Sequence, residues 1–245
     1  MAEHLRSHPL EDESTEALRR KALDVHRRLL EAYGEPKPRP SDPIGTLVST
    51  ILSQNTNDRL RDQAFRRLRE RFPTWEAVRD APVEEIARAV QVSGLGAQKA
   101  QRIKAALERI TEERGTLSLD FLQEMPLEEA RRWLTSFNGV GPKTAAIVLL
   151  FALGMPAFPV DTHVHRVSKR LGLIPSRASR EKAHGILEAL LPPATYYPFH
   201  INIIRHGRAV CGARRPQCER CILRDLCAWY AATQGPIPSG GTDTE

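Results

Sequence analysis

Four cysteines, Cys211, Cys218, Cys221 and Cys227, fall within seventeen residues and are the only cysteines in the chain. Their spacing is C-x6-C-x2-C-x5-C, in the segment CGARRPQCERCILRDLC. Four thiolates form the ligand set of a four-coordinate zinc ion or of an iron–sulfur cluster. Structural zinc usually shows two close pairs, whereas only Cys218 and Cys221 make a C-x2-C pair here. The wider loop from Cys211 to Cys218 suits an object larger than one ion, so an iron–sulfur cluster is favoured and zinc is the alternative. Two disulfides fit poorly. The first twenty residues lack the apolar run of a secretory signal, so the expectation is a cytoplasmic protein with reduced thiols.

Arginines crowd the same segment: Arg205, Arg208, Arg214, Arg215, Arg220 and Arg224, opposed between 205 and 224 only by Glu219. Guanidinium pairs bidentately with phosphate, and a clustered patch gives salt-dependent affinity for a polyanion. A solvated surface loop is the plainer reading of a charge run; a metal-fixed loop shifts the balance by preorganising the arginines. The net charge of +6 and the pI near 9.4 are compatible with nucleic acid without demanding it. The first stretch is acidic, with Glu3, Glu11, Asp12, Glu13 and Glu16.

A nucleophile candidate lies upstream, in FNGVGPKTAAIVL from Phe137 to Leu149. Gly139-Val140-Gly141 reads as a tight turn between two helices, the second opening at Pro142, since proline suits the first helical position. Backbone N–H groups at Gly141 and the first turn beyond it are then expected to face a phosphate. Lys143 sits beside this positive backbone dipole, which favours a neutral amine able to form a Schiff base. The alternative is a lysine that merely touches phosphate or solvent. Eighteen residues on, in FPVDTHVHRVSKRLGL, Asp161 stands before a helix with Val164, Val167 and Leu171 on its apolar side. That is an N-cap position, and a rigid, ionised cap is also suited to act beside a reacting sugar. His163 and His165 read as structural or phosphate-facing.

These groups must be positioned by helices, because strand signals are nearly absent. Residues 15–33 place Leu18, Leu23, Val25, Leu29 and Leu30 largely along one stripe, and Gly34 with Pro36, Pro38 and Pro40 makes a stop and a stiff linker. Helical segments follow, punctuated by Asn57, Pro73-Thr74, Pro82, Gly94, Gly115 and Pro126. The apolar run Ala145–Met155 is too short to span a membrane and reads as a fully buried helix. The expectation is an all-α protein, with residues 1–14 and 233–245 as disordered tails.

The hairpin resembles the helix–hairpin–helix DNA-binding motif. The ordered set ILSQNTND, SGLGAQKA, GVGPKTA, VDTH and the cysteine spacing resembles the endonuclease III family of helix–hairpin–helix glycosylases, over roughly residues 20–230. The resemblance implies two helical domains with a DNA-binding cleft between them. One is a six-helix barrel over 44–156 carrying the hairpin. The other joins 15–43 to 157–232 around one four-iron four-sulfur cluster held by Cys211, Cys218, Cys221 and Cys227. It implies a bifunctional DNA glycosylase and abasic-site lyase, a monomer acting on double-stranded DNA with a damaged base or abasic site, nucleoid-associated if bacterial. Lys143 would be the nucleophile and Asp161 its partner. Gln54 would fill the gap left by the extruded nucleotide and Leu95 would wedge beside it. Gly139, Val140, Gly141, Thr144, Arg214 and Arg215 would contact DNA. Extrusion is needed because the anomeric carbon cannot be reached within the stack.

The chain departs from the family pattern at four places. Asn138 precedes the hairpin glycine where proline is frequent, Gly96 follows the wedge leucine where tyrosine is frequent, and Asn55 and Asn57 replace a small residue and an acid. These border the lesion pocket and bear on substrate range. Adenine-mismatch glycosylases share the cysteine spacing but lack the hairpin lysine. A weakly active or non-catalytic DNA-binding module is the reading from another class.

Overall fold

The computed structural model describes residues 9–38 and 41–234. They form α1 (Pro9–Tyr33), α2 (Pro43–Leu52), α3 (Asp58–Arg71), α4 (Trp75–Asp80), α5 (Val83–Val90), α6 (Gly96–Arg114), α7 (Leu127–Thr135), α8 (Pro142–Ile147), α9 (Thr162–Leu171), α10 (Arg180–Leu190), α11 (Tyr196–Ala209) and α12 (Ala228–Gln234), with short 3-10 turns between several of them. No strand occurs among the described residues. The chain divides into two compact units, Pro38–Pro159, and Met1–Lys37 together with Val160–Glu245.

In the contiguous unit, polar side chains start three of the helices, α2, α3 and α4. Both Asp42 carboxylate oxygens accept from the first turn of α2, from the Ile44 and Gly45 amides at 3.0 Å. Asn57 accepts from Leu60 N at 3.0 Å to open α3, and Thr74 accepts from Ala77 N at 3.1 Å to open α4. Each such cap stabilises its helix by about 1 kcal/mol. Gly115, at φ +71°, closes α6. The apolar faces meet in one core, where Leu47, Ile51, Leu68, Ile86, Ile103, Leu107, Leu134 and Leu149 are fully buried. α5 packs along α6, α3 against α5, and α2 against both α3 and α8.

The run Ala145–Met155 is not the fully buried α-helix its composition suggests. α8 gives way at Val148 to a π-turn through Ala152, closed by Leu153 N donating to Val148 O at 3.3 Å. The extra residue in the turn rotates the chain, and Leu150, Phe151 and Ala152 are only half-buried. Ser41 Oγ donates to the Phe151 carbonyl at 3.1 Å, taking up an acceptor at the helix end.

In the second unit, α1 starts at Pro9, so residues 9–14, expected in a tail, are helical. The tails expected at 1–8 and 235–245 lie outside the described residues. Ala22, Val25 and Leu29 of α1 are fully buried. Leu23, expected on the same stripe, is 42% exposed because it stands off the i, i+3, i+7 line of those three. Asn202 Nδ2 of α11 donates to Gly34 O at 2.8 Å, and Arg28 of α1 forks onto Asp225 at 2.6 and 2.8 Å. Among the described residues, no helix is long and apolar enough to cross a membrane.

Candidate functional site

The contiguous unit holds the hairpin. α7 ends at Thr135, the turn is closed by Val140 N donating to Phe137 O at 3.0 Å, and α8 opens with Pro142 at its first position. Gly139 takes φ +81°, a left-handed conformation that glycine adopts without strain. Gly141 is exposed and extended, and a Cβ there would meet nothing within 4 Å. Lys143 is half-buried at the second position of α8. Val140 and Thr144, expected to contact DNA, turn their side chains inward and are 4% and 5% exposed. Their side chains anchor the turn in the core, leaving only their backbone for an approaching phosphate.

Two further loops meet this turn through α6. Gln54 Nε2 donates to Gly139 O at 2.7 Å, and Arg102 of α6 donates to Gln54 Oε1 at 2.8 Å. Arg102 also lies flat against the hairpin: a Cβ on Gly139 would stand 2.6 Å from Arg102 Cδ. Leu95, at the start of α6, is 53% exposed with φ +53°. Left-handed backbone costs a residue with a Cβ about 1–2 kcal/mol. Among the described residues only Asn55 and Leu95 combine a side chain with positive φ. Asparagine tolerates it; leucine is the outlier.

This geometry accounts for three of the four departures. Asn55 fills a left-handed position, Asn57 caps α3, and a Cβ on Gly96 would lie 2.5 Å from Gln91 Oε1 and 3.1 Å from the Ala87 carbonyl. Nothing in the structure explains Asn138. Sequence reasoning missed Arg102 and the buried Lys99, whose Nζ donates to Leu52 O and Ser93 O, both at 2.8 Å. Its signal was there: Lys99 lies one turn before Ile103 and two before Leu107, on the apolar side of α6.

In the second unit Asp161 is half-buried and caps α9, its Oδ1 accepting from Val164 N at 2.7 Å. The helix it opens supports the cysteine loop. Arg166 donates to Cys211 O at 3.1 Å and Gly207 O at 2.9 Å. Arg170 donates to Cys211 Sγ at 3.2 Å, Gly212 O at 2.8 Å and Ala213 O at 2.9 Å, and lies over the Trp229 ring. His163 Nδ1 stands 3.1 Å from Arg166, and His165 Nε2 stands 2.9 Å from Ala178 O.

The four cysteines are free of disulfides, partly buried, and all line one pocket, together with Arg170, Val210, Trp229 and Tyr230. Among the described residues no three His, Cys, Asp or Glu side chains converge as they would on a single ion. Arg170 donates to one of these sulfurs, and the Tyr230 amide stands 3.4 Å from another, Cys227 Sγ, the kind of donors that support sulfurs holding a bound group. Burial pushes the Cys221 thiol up to about 11, with its three fellow cysteines adding to the effect. Of the six nearby arginines, Arg205 donates to Tyr33 O and Asn202 Oδ1, and Arg224 pairs with Glu219. Arg214 and Arg215 are exposed on the loop between the first two cysteines.

Residues 48–193 match the HhH-GPD superfamily of base excision DNA repair proteins. An Arabidopsis thaliana protein named as a DNA glycosylase is 39% identical over 66% of this chain, which spans 55% of that protein's length. An endonuclease III of Sulfolobus acidocaldarius is 35% identical over 76% of this chain and 82% of its own. The structure of a trapped covalent intermediate of endonuclease III and DNA superposes with a TM-score of 0.76 at 28% identity, over 88% of this chain and 98% of that one.

Proposed function

The chain belongs to the HhH-GPD superfamily of base excision DNA repair proteins, and from that membership we propose that it is a bifunctional DNA glycosylase and abasic-site lyase of the endonuclease III type. It binds double-stranded DNA, releases oxidised pyrimidines and cuts abasic sites by β-elimination. The observation that carries this reading is Lys143, an amine on the first turn of the helix that leaves the Gly139–Gly141 turn, in a fold shared with an endonuclease III that was trapped covalently on DNA.

The chemistry follows from the residue types. The Lys143 amine attacks C1′ of the extruded nucleotide, the C1′–N bond breaks, and the base leaves with a proton. The sugar ring opens to a Schiff base between Lys143 Nζ and C1′. The imine acidifies the C2′ proton; its loss expels the 3′ phosphate as the C3′–O bond breaks, and hydrolysis frees the lysine. Asp161 supplies a carboxylate, fixed in orientation by its bond to Val164 N, that stabilises positive charge developing on the sugar and helps deprotonate the lysine. Gln54 fills the vacated space and Leu95 wedges beside it. Gly139, Gly141 and the backbone of Val140 and Thr144 hold phosphate from the hairpin, and Arg214 and Arg215 hold it from the cysteine loop. Cys211, Cys218, Cys221 and Cys227 bind one four-iron four-sulfur cluster, which when bound fixes that loop.

Borohydride present during incubation with a thymine glycol duplex tests the reading, because reduction turns the imine into a stable link. Wild-type protein is expected to trap, and Lys143→Gln to lose both trapping and strand cleavage while keeping most of its DNA affinity. Tight binding without trapping in the wild type would instead indicate a non-catalytic module. Trapping by Lys143→Gln would assign the chemistry to another amine.

A further inference from the structure

Lys99 is 1% exposed, and its ammonium has two hydrogen-bond acceptors, both uncharged backbone carbonyls. A buried cation without a carboxylate partner is an expensive way to fill a core position that methionine or leucine would fill. Burial also lowers its pKa from the ordinary lysine value. What the ammonium secures must therefore lie in the two carbonyls. Leu52 is the last residue of α2, and Ser93 is the last of the 3-10 turn Gln91–Ser93. Both carbonyls stand where a helix ladder runs out and would otherwise be orphaned.

Each held carbonyl lies just ahead of one of the two left-handed residues: Leu52 precedes Ser53, Gln54 and Asn55, and Ser93 precedes Gly94 and Leu95. Strained backbone persists only where its surroundings over-determine it. A single ammonium at 2.8 Å from both loops provides that constraint, and locks their separation. Leu95, Lys99 and Arg102 follow one another at helical spacing along one side of α6. The wedge, the clamp and the group that holds Gln54 are thus carried on one rod.

We infer that Lys99 is a positioning residue for nucleotide extrusion: it fixes the loops bearing Gln54 and Leu95 to one another so that both enter the duplex in register. The inference rests on the glycosylase and lyase reading above. It separates the two carbon-centred reaction steps, which need Lys143, from the opening of the duplex, which needs the two loops. A single-stranded abasic oligonucleotide has no stack to part and no partner base to replace, so its cleavage does not depend on the clamp.

The test compares wild-type protein, Lys99→Met and Lys99→Gln, all full-length and well below their melting temperatures. The substrates are a thymine glycol duplex and a single-stranded abasic oligonucleotide, and a 2-aminopurine duplex reports extrusion. In Lys99→Met the duplex excision rate is expected to fall about tenfold or more, as two lost charge-assisted hydrogen bonds imply, and the 2-aminopurine signal to fall with it. Single-strand cleavage is expected to stay within about twofold of wild type, since the amine chemistry is untouched. Lys99→Gln, which keeps one donor group, is expected to lie between. Adding Lys99→Met to the double variant Gln54→Ala, Leu95→Ala should bring little further loss on the duplex, because the loops it aligns no longer carry the groups that enter it. Equal losses on both substrates, no loss on the duplex, or failure of both variants to fold would overturn the inference. A wild-type protein inactive on both substrates would overturn the enzymatic reading instead.

Discussion

The Gln54 side-chain amide donates at 2.7 Å to the carbonyl of Gly139, 85 residues further along the chain. Its oxygen accepts at 2.8 Å from Arg102, which itself lies against Gly139. The residue assigned to fill the gap in the duplex is therefore tethered to the hairpin. On the proposed role, entering DNA would exchange these two protein hydrogen bonds for contacts to the unpaired base, which would link hairpin geometry to gap filling.

The two hairpin glycines should separate fold from binding. Gly139→Ala places a methyl in left-handed backbone, at about 1–2 kcal/mol, and drives Arg102 from Gln54 at about 1 kcal/mol more. A melting temperature lower by about 4–12 °C is expected, at roughly 2–4 °C per kcal/mol for a chain of this size. Gly141 has ordinary φ and open space for a Cβ. Gly141→Ala should melt with wild type yet bind duplex DNA more weakly, since the methyl blocks the approach of phosphate to backbone. Unchanged DNA affinity in a normally folded Gly141→Ala would move the phosphate contact elsewhere.

Much of this was legible in the sequence because it is written in local rules. Asn57, Thr74 and Asp161 cap helices as side-chain chemistry dictates, and Pro142 and Gly115 begin and end theirs. What stayed hidden depends on contacts distant in sequence. The position of Lys99 on the apolar side of α6 marks it as buried but does not show that Leu52 and Ser93 take its ammonium, and Arg102 reads as a surface charge until Gln54 and Gly139 arrive. The π-turn at Val148–Ala152 leaves no compositional mark, since the same residues suit an α-helix. Gly96 looks like a lost aromatic; the Gln91 side chain and the Ala87 carbonyl occupy the space a side chain would take.

Exposure of Arg214 and Arg215 predicts a measurable salt signature. Arg214→Ala and Arg215→Ala should each weaken binding to lesion-bearing and undamaged duplex alike. Each should lower the slope of log affinity against log salt by about 0.9, the value for one phosphate contact. An unchanged slope in both variants would turn this loop away from DNA.

Asp225 gives a pH dependence of known sign. Its bond to Arg28 holds the carboxyl below its ordinary value. A depressed carboxylate contributes stability that is present above its unfolded pKa, near 4, and is lost as pH falls through the folded value. The Asp225 side chain is 59% exposed, so after solvent screening the pair contributes at most about 1 kcal/mol. Asp225→Asn should therefore be slightly less stable than wild type at pH 7. Denaturation curves of the two should converge as the pH drops below about 4. A constant difference across that range would mean packing, not charge, ties α1 to the cysteine loop.

The cap at Asp161 can be separated from the catalytic role proposed for its carboxylate. Asp161→Asn keeps an oxygen to accept from Val164 N, so its stability should stay within a few tenths of a kcal/mol; Asp161→Ala should lose about 1 kcal/mol. Both should lose most of the base-excision rate, because neither carries the charge that stabilises the sugar cation. An Asp161→Asn variant with wild-type excision would leave capping as the residue's whole role.

Leu95 should show stability and activity moving in opposite directions. Its side chain is 53% exposed, so little packing is lost on removing it, while its φ of +53° strains any residue with a branched or bulky side chain. Leu95→Gly relieves about 1–2 kcal/mol of backbone strain and gives back about 0.5–1 kcal/mol through the greater freedom of the unfolded chain. The net expectation is a variant more stable by about 0.5–1 kcal/mol, melting about 1–4 °C higher. Yet the wedge is gone, so excision from duplex DNA should fall about tenfold or more while cleavage of a single-stranded abasic site persists. A variant both less stable and less active would show that packing, not strain, holds the leucine. One more stable and fully active would show that the leucine parts no bases, and the strain would then need another reason to exist.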